Sequence, residues 1–231
     1  MLWIIVSGAL HNFNMYASGS FLTAFLIRYH GLSLKAASLS SAVVLGAVGV
    51  IGLLGGGWAA DRVGKTRPAG RLLVAAVAML AAAPCVYLAL RQPPGAIRPF
   101  LLLMGSGSIL MFVYYAGVYA AIQEVIEPAL RGTAMAIYFC AFYIFGASFG
   151  PPITGMLSDR LARQAMAQAG ATAMNEHFKA TGLHHAMYLI PLLCLILAFV
   201  LFAASRTMPR DAENLRRWLN KPETLKPKSS S

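Results

Sequence analysis

Apolar residues fall in six long runs: Trp3 to Ile27, Ala36 to Ala60, Leu72 to Leu90, Phe100 to Ile122, Thr133 to Leu157 and Ala186 to Ala204. Each is near the ~20 residues a helix needs to cross a hydrocarbon layer about 30 Å thick. None alternates apolar with polar positions as a barrel strand does. In hydrocarbon only helices and closed barrels satisfy their own backbone. The pattern therefore predicts an all-α polytopic membrane protein of six transmembrane helices.

Polarity is uneven among the spans. The third and sixth are almost purely apolar, the composition of lipid-facing helices. In the first, His11, Asn14 and Ser18 stand at i, i+3 and i+7 and share one helical face. In the fourth, Tyr115, Tyr119 and Gln123 recur every four residues. Polar side chains are costly in hydrocarbon and face a bundle interior or a wet cavity, so these two spans are expected to line a common, concave polar face, with the third and sixth outermost. The second and fifth spans are rich in small residues, among them Gly46, Gly49, Gly52, Gly55, Gly56 and Gly57 in one and Gly132, Ala136, Gly146, Gly150 and Gly155 in the other. Small residues allow close helix approach. Pro151 and Pro152 are placed to break the fifth.

Composition fits a lipid solvent: 58% of the 231 residues are hydrophobic and 12% charged, against about 25% charged in soluble domains. The net charge of +11 does not point to nucleic acid, because the basic residues lie between spans and in the tail with no aromatic-basic module among them. They read instead as a topology signal. With both termini cytoplasmic, Arg62, Lys65, Arg67, Arg71, Arg131 and the seven Lys or Arg from Arg206 to Lys228 lie inside, and Arg28, Lys35, Arg91, Arg98, Arg160, Arg163 and Lys179 outside. That excess obeys the positive-inside rule. Cys85, Cys140 and Cys194 fall within apolar spans and read as small hydrophobes. No cofactor or metal site is expected. No signal-peptide pattern opens the chain. The first run lacks flanking charge, so Met1 reads as an internal start or the cut end of a longer chain.

The second span ends Gly57-Trp-Ala-Ala-Asp61-Arg62 and the fifth Gly155-Met-Leu-Ser-Asp159-Arg160, the same Gly-x-x-x-Asp-Arg 98 residues later. An odd number of helices separates the copies, which puts them on opposite membrane faces. The expected architecture is two inverted three-helix repeats, about 1–92 and 98–205, in a bundle over 1–210. A basic cytoplasmic tail, 211–231, follows, and Arg210 to Leu219 could lie as an interfacial helix on anionic lipid. The loop from Ser158 to His185 is long enough to hold a surface helix over Arg160 to Ala169.

The stretch Gly57-Trp58-Ala59-Ala60-Asp61-Arg62-Val63-Gly64-Lys65-Thr66-Arg67 resembles the loop signature of the major facilitator superfamily, Gly-x-x-x-Asp-Arg-x-Gly followed by basic residues. Glu127 to Ala134, with Arg131, and Gly150 to Asp159 look like that family's tenth-to-eleventh helix region. The pattern is most similar to the spinster-like or related anion-porter branches. The resemblance covers residues 1 to about 210 and implies the C-terminal six-helix half of a secondary active transporter. Such a protein moves a small organic solute or lipid-like substrate by alternating access, as a symporter or antiporter of the cell (inner or plasma) membrane. Its partners would be membrane lipid, the substrate, and either a missing N-terminal half or a second copy.

The resemblance also assigns roles. Gly57, Asp61, Arg62, Gly64 and Lys65 would form a conformational latch, with Arg62 and Lys65 completing a charge cluster around Asp61. Its facing helix would belong to the other half. Glu127, Arg131, Gly155, Asp159 and Arg160 would form a helix-end motif, with Asp159 and Arg160 capping a helix on the outer face. His11, Asn14, Ser18, Tyr115, Tyr119 and Gln123 are substrate-path candidates. Two readings stand for them, substrate contact and interhelical hydrogen bonding, the latter worth about 0.6 kcal/mol per bond in membranes. No Asp or Glu falls mid-span, so a coupling carboxylate would belong to the other half.

Two other functions compete. One is a regulatory or inert truncated membrane protein. The other is an intramembrane serine protease using Ser106 or Ser108 with His184 or His185, which requires hydroxyl and imidazole within hydrogen-bond reach.

Overall fold

The computed structural model describes residues 2–67 and 69–219, and these are all-helical apart from turns, with no strand among them. The helices fall into six: α1, Leu2–Arg28; α2, Leu34–Gly64; α3, Gly70–Leu90; α4, Ile97–Val125; α5, Pro128–Gln168; and α6, which opens with Glu176–Met187 and continues after a turn at Tyr188 as Leu189–Leu219. Five of them are long and apolar enough to cross a membrane, and α1 is the exception. It has the length, at 27 residues, but spends its interior positions on Ser7, His11, Asn12, Asn14 and Ser18, all buried inside the bundle.

The helix ends follow local chemistry. Gly31, at φ +72°, closes α1: its N–H bonds the Ile27 carbonyl at 3.1 Å and the Leu32 N–H bonds that of Leu26 at 3.2 Å, the paired bonds that a left-handed glycine makes at a helix C-terminus. Ser33 then caps α2 by accepting from the Ala36 N–H. Asn175 caps α6 the same way, accepting from Phe178 at 3.0 Å. In α5, Pro151 and Pro152 stand in the first turn of its last segment, Gly150–Gln168, where the missing N–H is harmless, and the preceding helix is interrupted at Ser148 and Phe149.

Contacts between helices come in matched pairs. α2 packs on α4 and α5 on α1; α3 packs on α4 and α6 on α1; α3 and α6 meet each other. Glycines make the first of these pairs possible. A Cβ on Gly52 would stand 2.2 Å from the Ile109 carbonyl oxygen, and one on Gly150 would stand 2.6 Å from that of Phe13. A Cβ on Gly56 would stand 2.8 Å from the Val113 Cα, and one on Gly146 would stand 2.7 Å from the Ala9 oxygen. Each of the two glycine helices also holds a π-helical turn, Val43–Ala47 in α2 and Phe142–Ala147 in α5. Those turns and Gly52 with Gly150 recur at nearly the same spacing as the Gly-x-x-x-Asp-Arg copies.

The expected order of exposure is corrected in one respect. α3 and α6 are not the outermost helices: half of the most apolar stretch of each is buried, against 28% for α2 and 22% for α5. Lipid and a neighbouring helix are equally apolar to a methyl group, so the hydropathy of α3 and α6 could not separate the two environments. The outward residues are still hydrocarbon, Leu54 and Phe199 being 72% exposed each. The expected surface helix from Arg160 is instead the end of α5, which runs unbroken to Gln168. The helix at Arg210 to Leu219 is the continuous end of α6, and the tail beyond it, 220–231, lies outside the described residues.

Backbone contact at Gly52 and Gly150 leaves no room for a side chain. Gly52→Val or Gly150→Val should cost stability at or above the about 1–3 kcal/mol typical of overpacking, read as a lower melting temperature of the detergent-purified chain. Gly55→Val, which meets nothing within 4 Å, should leave it unchanged.

Candidate functional site

Polar residues from α1 meet aromatic residues from α4 and α5 at the centre of the bundle. The His11 ring lies stacked on Tyr114, centroids 3.9 Å apart, with the edge of Tyr115 at 4.8 Å. It is fully buried, and neither ring nitrogen has a hydrogen-bond partner. Beside it a chain of hydroxyls crosses three helices: Ser7 to Tyr114 at 2.9 Å and Tyr114 to Tyr138 at 3.0 Å. Gly8 makes space for this chain, since a Cβ there would fall 2.6 Å from the Tyr138 ring. Tyr119, Phe139, Phe142 and Tyr143 extend the aromatic layer across α4 and α5.

Of the six substrate-path candidates, three are interior. Asn14 donates to the Ile190 carbonyl at 3.3 Å and to Cys194 Sγ at 3.2 Å, which ties α1 to α6. Ser18 bonds back to the Asn14 carbonyl. For these two, interhelical or intrahelical bonding is what the geometry provides. Tyr115 and Tyr119 are half-buried, and Gln123 is exposed at the end of α4.

An open concavity of about 390 Å³ does lie between α1 and α4, but its α1 wall is a neighbouring strip: Asn12, Met15, Tyr16, Gly19 and Ser20, facing Phe112 and Tyr115. α1 and α4 do border one concavity, but its lining is mostly apolar and includes none of His11, Asn14 and Ser18. Asn12, Tyr16 and Ser20 are spaced i, i+4 and i+8, a signal present in the sequence and outweighed there by the histidine. Asn12 Nδ2 also donates to the carbonyl of Phe142 at 2.7 Å, the first residue of the π-helical turn in α5. Phe112 packs under Gly49 of α2, and Tyr16 meets Tyr143 of α5 edge-on at 6.5 Å. α2 and α5 therefore flank the two rims.

A second polar centre stands at the α2–α3 end. Arg71 ties Asp61, at 3.0 Å, and Glu124 into one cluster, joining α2, α3 and α4. The family resemblance implies Arg62 and Lys65 around Asp61. In the structure Arg62 lies over the Trp58 ring at 5.8 Å, Lys65 is exposed, and Arg71 makes the bonds. Arg71, in the first turn of α3, reaches both Asp61 on α2 and Glu124 on α4. Gly57 is half-buried, and a Cβ on Gly64 would stand 3.0 Å from the Arg71 side chain.

The helix-end motif also differs. Glu127 precedes the short 3-10 turn Pro128–Leu130, and Arg131 begins the α-helix that follows it. Asp159 and Arg160 do not cap a helix, because α5 continues past both; Asp159 instead lines a surface pocket with Arg28, Arg163 and Lys179. A Cβ on Gly155 would stand 3.3 Å from the Phe21 ring. The protease arrangement lacks its hydrogen bond. Ser106 Oγ donates to the Leu102 carbonyl, Ser108 Oγ has no partner, and His184 Nε2 is engaged with the Leu90 carbonyl at 2.7 Å. Among the described residues no group of three or more His, Cys, Asp or Glu is placed to hold a metal.

Beyond the C-terminal end of α1, buried His30 sits among Phe25, Tyr29 and Phe100, with His184 nearby. Burial first, and the neighbouring His184 second, hold its pKa down to about 4. Its unfolded value is the ordinary one, about 6.5, so between those values the unfolded chain binds more protons and stability falls with pH. The melting temperature should drop as pH is lowered from 6.5 toward 4, and His30→Phe should shrink that drop. Replacing Arg71 by Gln should lower the melting temperature modestly, because Asp61 and Glu124 are 66% and 38% exposed and such pairs contribute about 1 kcal/mol or less; it should also remove the salt sensitivity of the melt.

Comparison with known proteins places these features. The Major Facilitator Superfamily profile matches residues 1–151. Human spinster homolog 3 is 36% identical over 113 residues, 49% of this chain and 22% of that protein. An MFS-type efflux pump of Mycolicibacterium smegmatis is 33% identical over 159 residues, 69% of this chain and 36% of the pump. A probable sphingolipid transporter of Arabidopsis thaliana, spinster homolog 3, is 30% identical over 134 residues, 58% of this chain and 26% of that one. The crystal structure of a bacterial homolog of the human lysosomal transporter Spinster, inward-facing and unoccupied, superposes with a TM-score of 0.80 at 23% identity, covering 91% of this chain and 48% of the other. The chain thus spans about half of that solved transporter and a smaller share of the curated relatives it matches.

Proposed function

This chain belongs to the Major Facilitator Superfamily, a family of multi-pass membrane transporters, and from that premise we propose that it forms the C-terminal-type six-helix half of an alternating-access transporter for a small organic or lipid-like solute. The observation that carries the proposal is the concavity between α1 and α4, rimmed by α2 and α5, the two helices least covered within the bundle. A second six-helix body seated on α2 and α5 would close the open side of the concavity over a substrate. Two inverted units, about 1–92 and 98–205, are supported by the matched contacts and the repeated π-helical turns.

Tyr16, Tyr115 and Phe112 offer aromatic faces to an apolar body, and Asn12 and Ser20 offer hydrogen bonds to a polar end, the mixed lining usual for small-molecule sites. His11 and Tyr119 stand behind that wall. The unpartnered ring nitrogens of His11 are what a group would retain if its partner arrived only in another conformation of the pair of halves. Asp61, Arg62 and Lys65 stand at the C-terminal end of α2, one of the two helices on which the second body would be seated. The distribution of basic residues supports both termini on the cytoplasmic side of the cell membrane. Two of the relatives, an efflux pump and a probable sphingolipid transporter, fit a substrate that is partly apolar.

Rocking of one half against another around a central site is the transport motion, so a single copy should not transport. Purified chain reconstituted into proteoliposomes should accumulate no substrate while monomeric and should gain accumulation only with a second half or as a dimer, its oligomeric state being measured in the same bilayer. Accumulation against a gradient by the monomer would overturn the proposal. In the active assembly Tyr16→Cys should react with a water-borne thiol reagent while Asn14→Cys stays protected.

A further inference from the structure

A second groove lies on the outside of the bundle between α2 and α3, with α4 as its floor, and holds about 470 Å³. Its walls are small and apolar, including Gly55, Ala59 and Val63 on α2 and Val74 and Val77 on α3, and the one charged residue in its lining is Arg67. Gly55, Ala59 and Val63 are spaced four apart along one face, a run of ~12 Å at the helical rise of about 1.5 Å per residue. Arg67 stands one turn further, at the α2–α3 loop. The groove is therefore apolar along its length and cationic at one end.

The charge at that end is not neutralised. Arg71 takes both nearby carboxylates, Asp61 and Glu124. Arg62, Lys65 and Arg67 stand exposed, and no ion pair joins them to a carboxylate among the described residues. The apolar part is likewise open rather than packed. A Cβ on Gly55 would meet nothing within 4 Å, whereas one on Gly56, next in sequence, would stand 2.8 Å from the Val113 Cα. Gly56 brings two helices together; Gly55 leaves space.

We propose that this groove binds one anionic phospholipid, an acyl chain lying along Gly55, Ala59 and Val63 and the phosphate meeting Arg67 with Arg62 and Lys65 beside it. Charge complementarity selects the occupant: a zwitterionic lipid would fill the apolar walls equally well but would leave three cations partly uncompensated, and each cation near an anionic headgroup favours it by roughly fivefold. The site is separate from the concavity between α1 and α4 and does not depend on transport.

Native mass spectrometry of the full chain, equilibrated with an equimolar mixture of phosphatidylglycerol and phosphatidylcholine of the same acyl chains, tests the proposal. One phosphatidylglycerol should be retained over phosphatidylcholine by roughly fivefold or more. Arg67→Gln should bring that preference down severalfold, and Arg98→Gln, at the opposite end of the bundle, should not change it. Gly55→Leu, which fills the groove and adds no charge, should remove the retained lipid of either kind with the melting temperature intact. Equal retention of the two lipids by the unaltered chain would overturn the proposal. So would a preference indifferent to Arg67→Gln, a retained lipid indifferent to Gly55→Leu, or a second copy of the chain in place of lipid.

Discussion

In hydrocarbon a methyl group gains nothing by leaving lipid for a neighbouring helix, so association depends on how closely two backbones can approach. Gly52 against the Ile109 carbonyl and Gly150 against that of Phe13 are where this chain meets the requirement. These contacts decide that α2 lies on α4 and α5 on α1. Each three-residue-spaced or four-residue-spaced glycine extends the approach along the helix, and the remaining apolar side chains fill what is left. α2 of the N-terminal three helices consequently lies on α4, and α5 of the C-terminal three lies on α1.

Because α2 and α5 are drawn inward by one face only, their other faces stay open, and both open sites depend on that. The concavity between α1 and α4 lies between their inner edges. The lipid-side groove exists because α2, held to α4 through Gly52 and Gly56, stands off from α3 at Gly55. At the loop between α2 and α3, Arg71 performs the complementary task with charge, fastening Asp61 and Glu124 across three helix ends.

Much of this was legible in the sequence. Six apolar runs predict six helices, the first four to within a few residues and the last two in their apolar parts only, since α5 runs on to Gln168 and α6 spans Glu176 to Leu219; the Gly-x-x-x-Asp-Arg signature points to the family. The finer placements were less accessible, for physical reasons. A helical face defined by His11, Asn14 and Ser18 says that α1 has a polar side and not whether that side meets water or another helix; Asn14 spends its amide on Ile190 and Cys194. Arg71 looked like one loop cation among four, because its partner Glu124 is 53 residues away and nothing local ties them. Asp159 looked like a cap because apolar residues run out there, but α5 continues into a polar stretch that hydropathy cannot distinguish from loop.

The hydrogen bonds of α1 carry a consequence for how the chain is made. Ser7, Asn12 and Asn14 find their partners 107, 130, and 176 to 180 residues downstream. At about 5–20 residues per second of synthesis, the partners of Asn14 emerge roughly 10–35 s after α1 itself. During that interval the Asn14 amide lacks the two partners it has in the folded bundle. The polar contacts of α1 therefore form in the order of synthesis, first with α4, then α5 and last α6, so that α1 is fastened on all sides only when the last helix has been made.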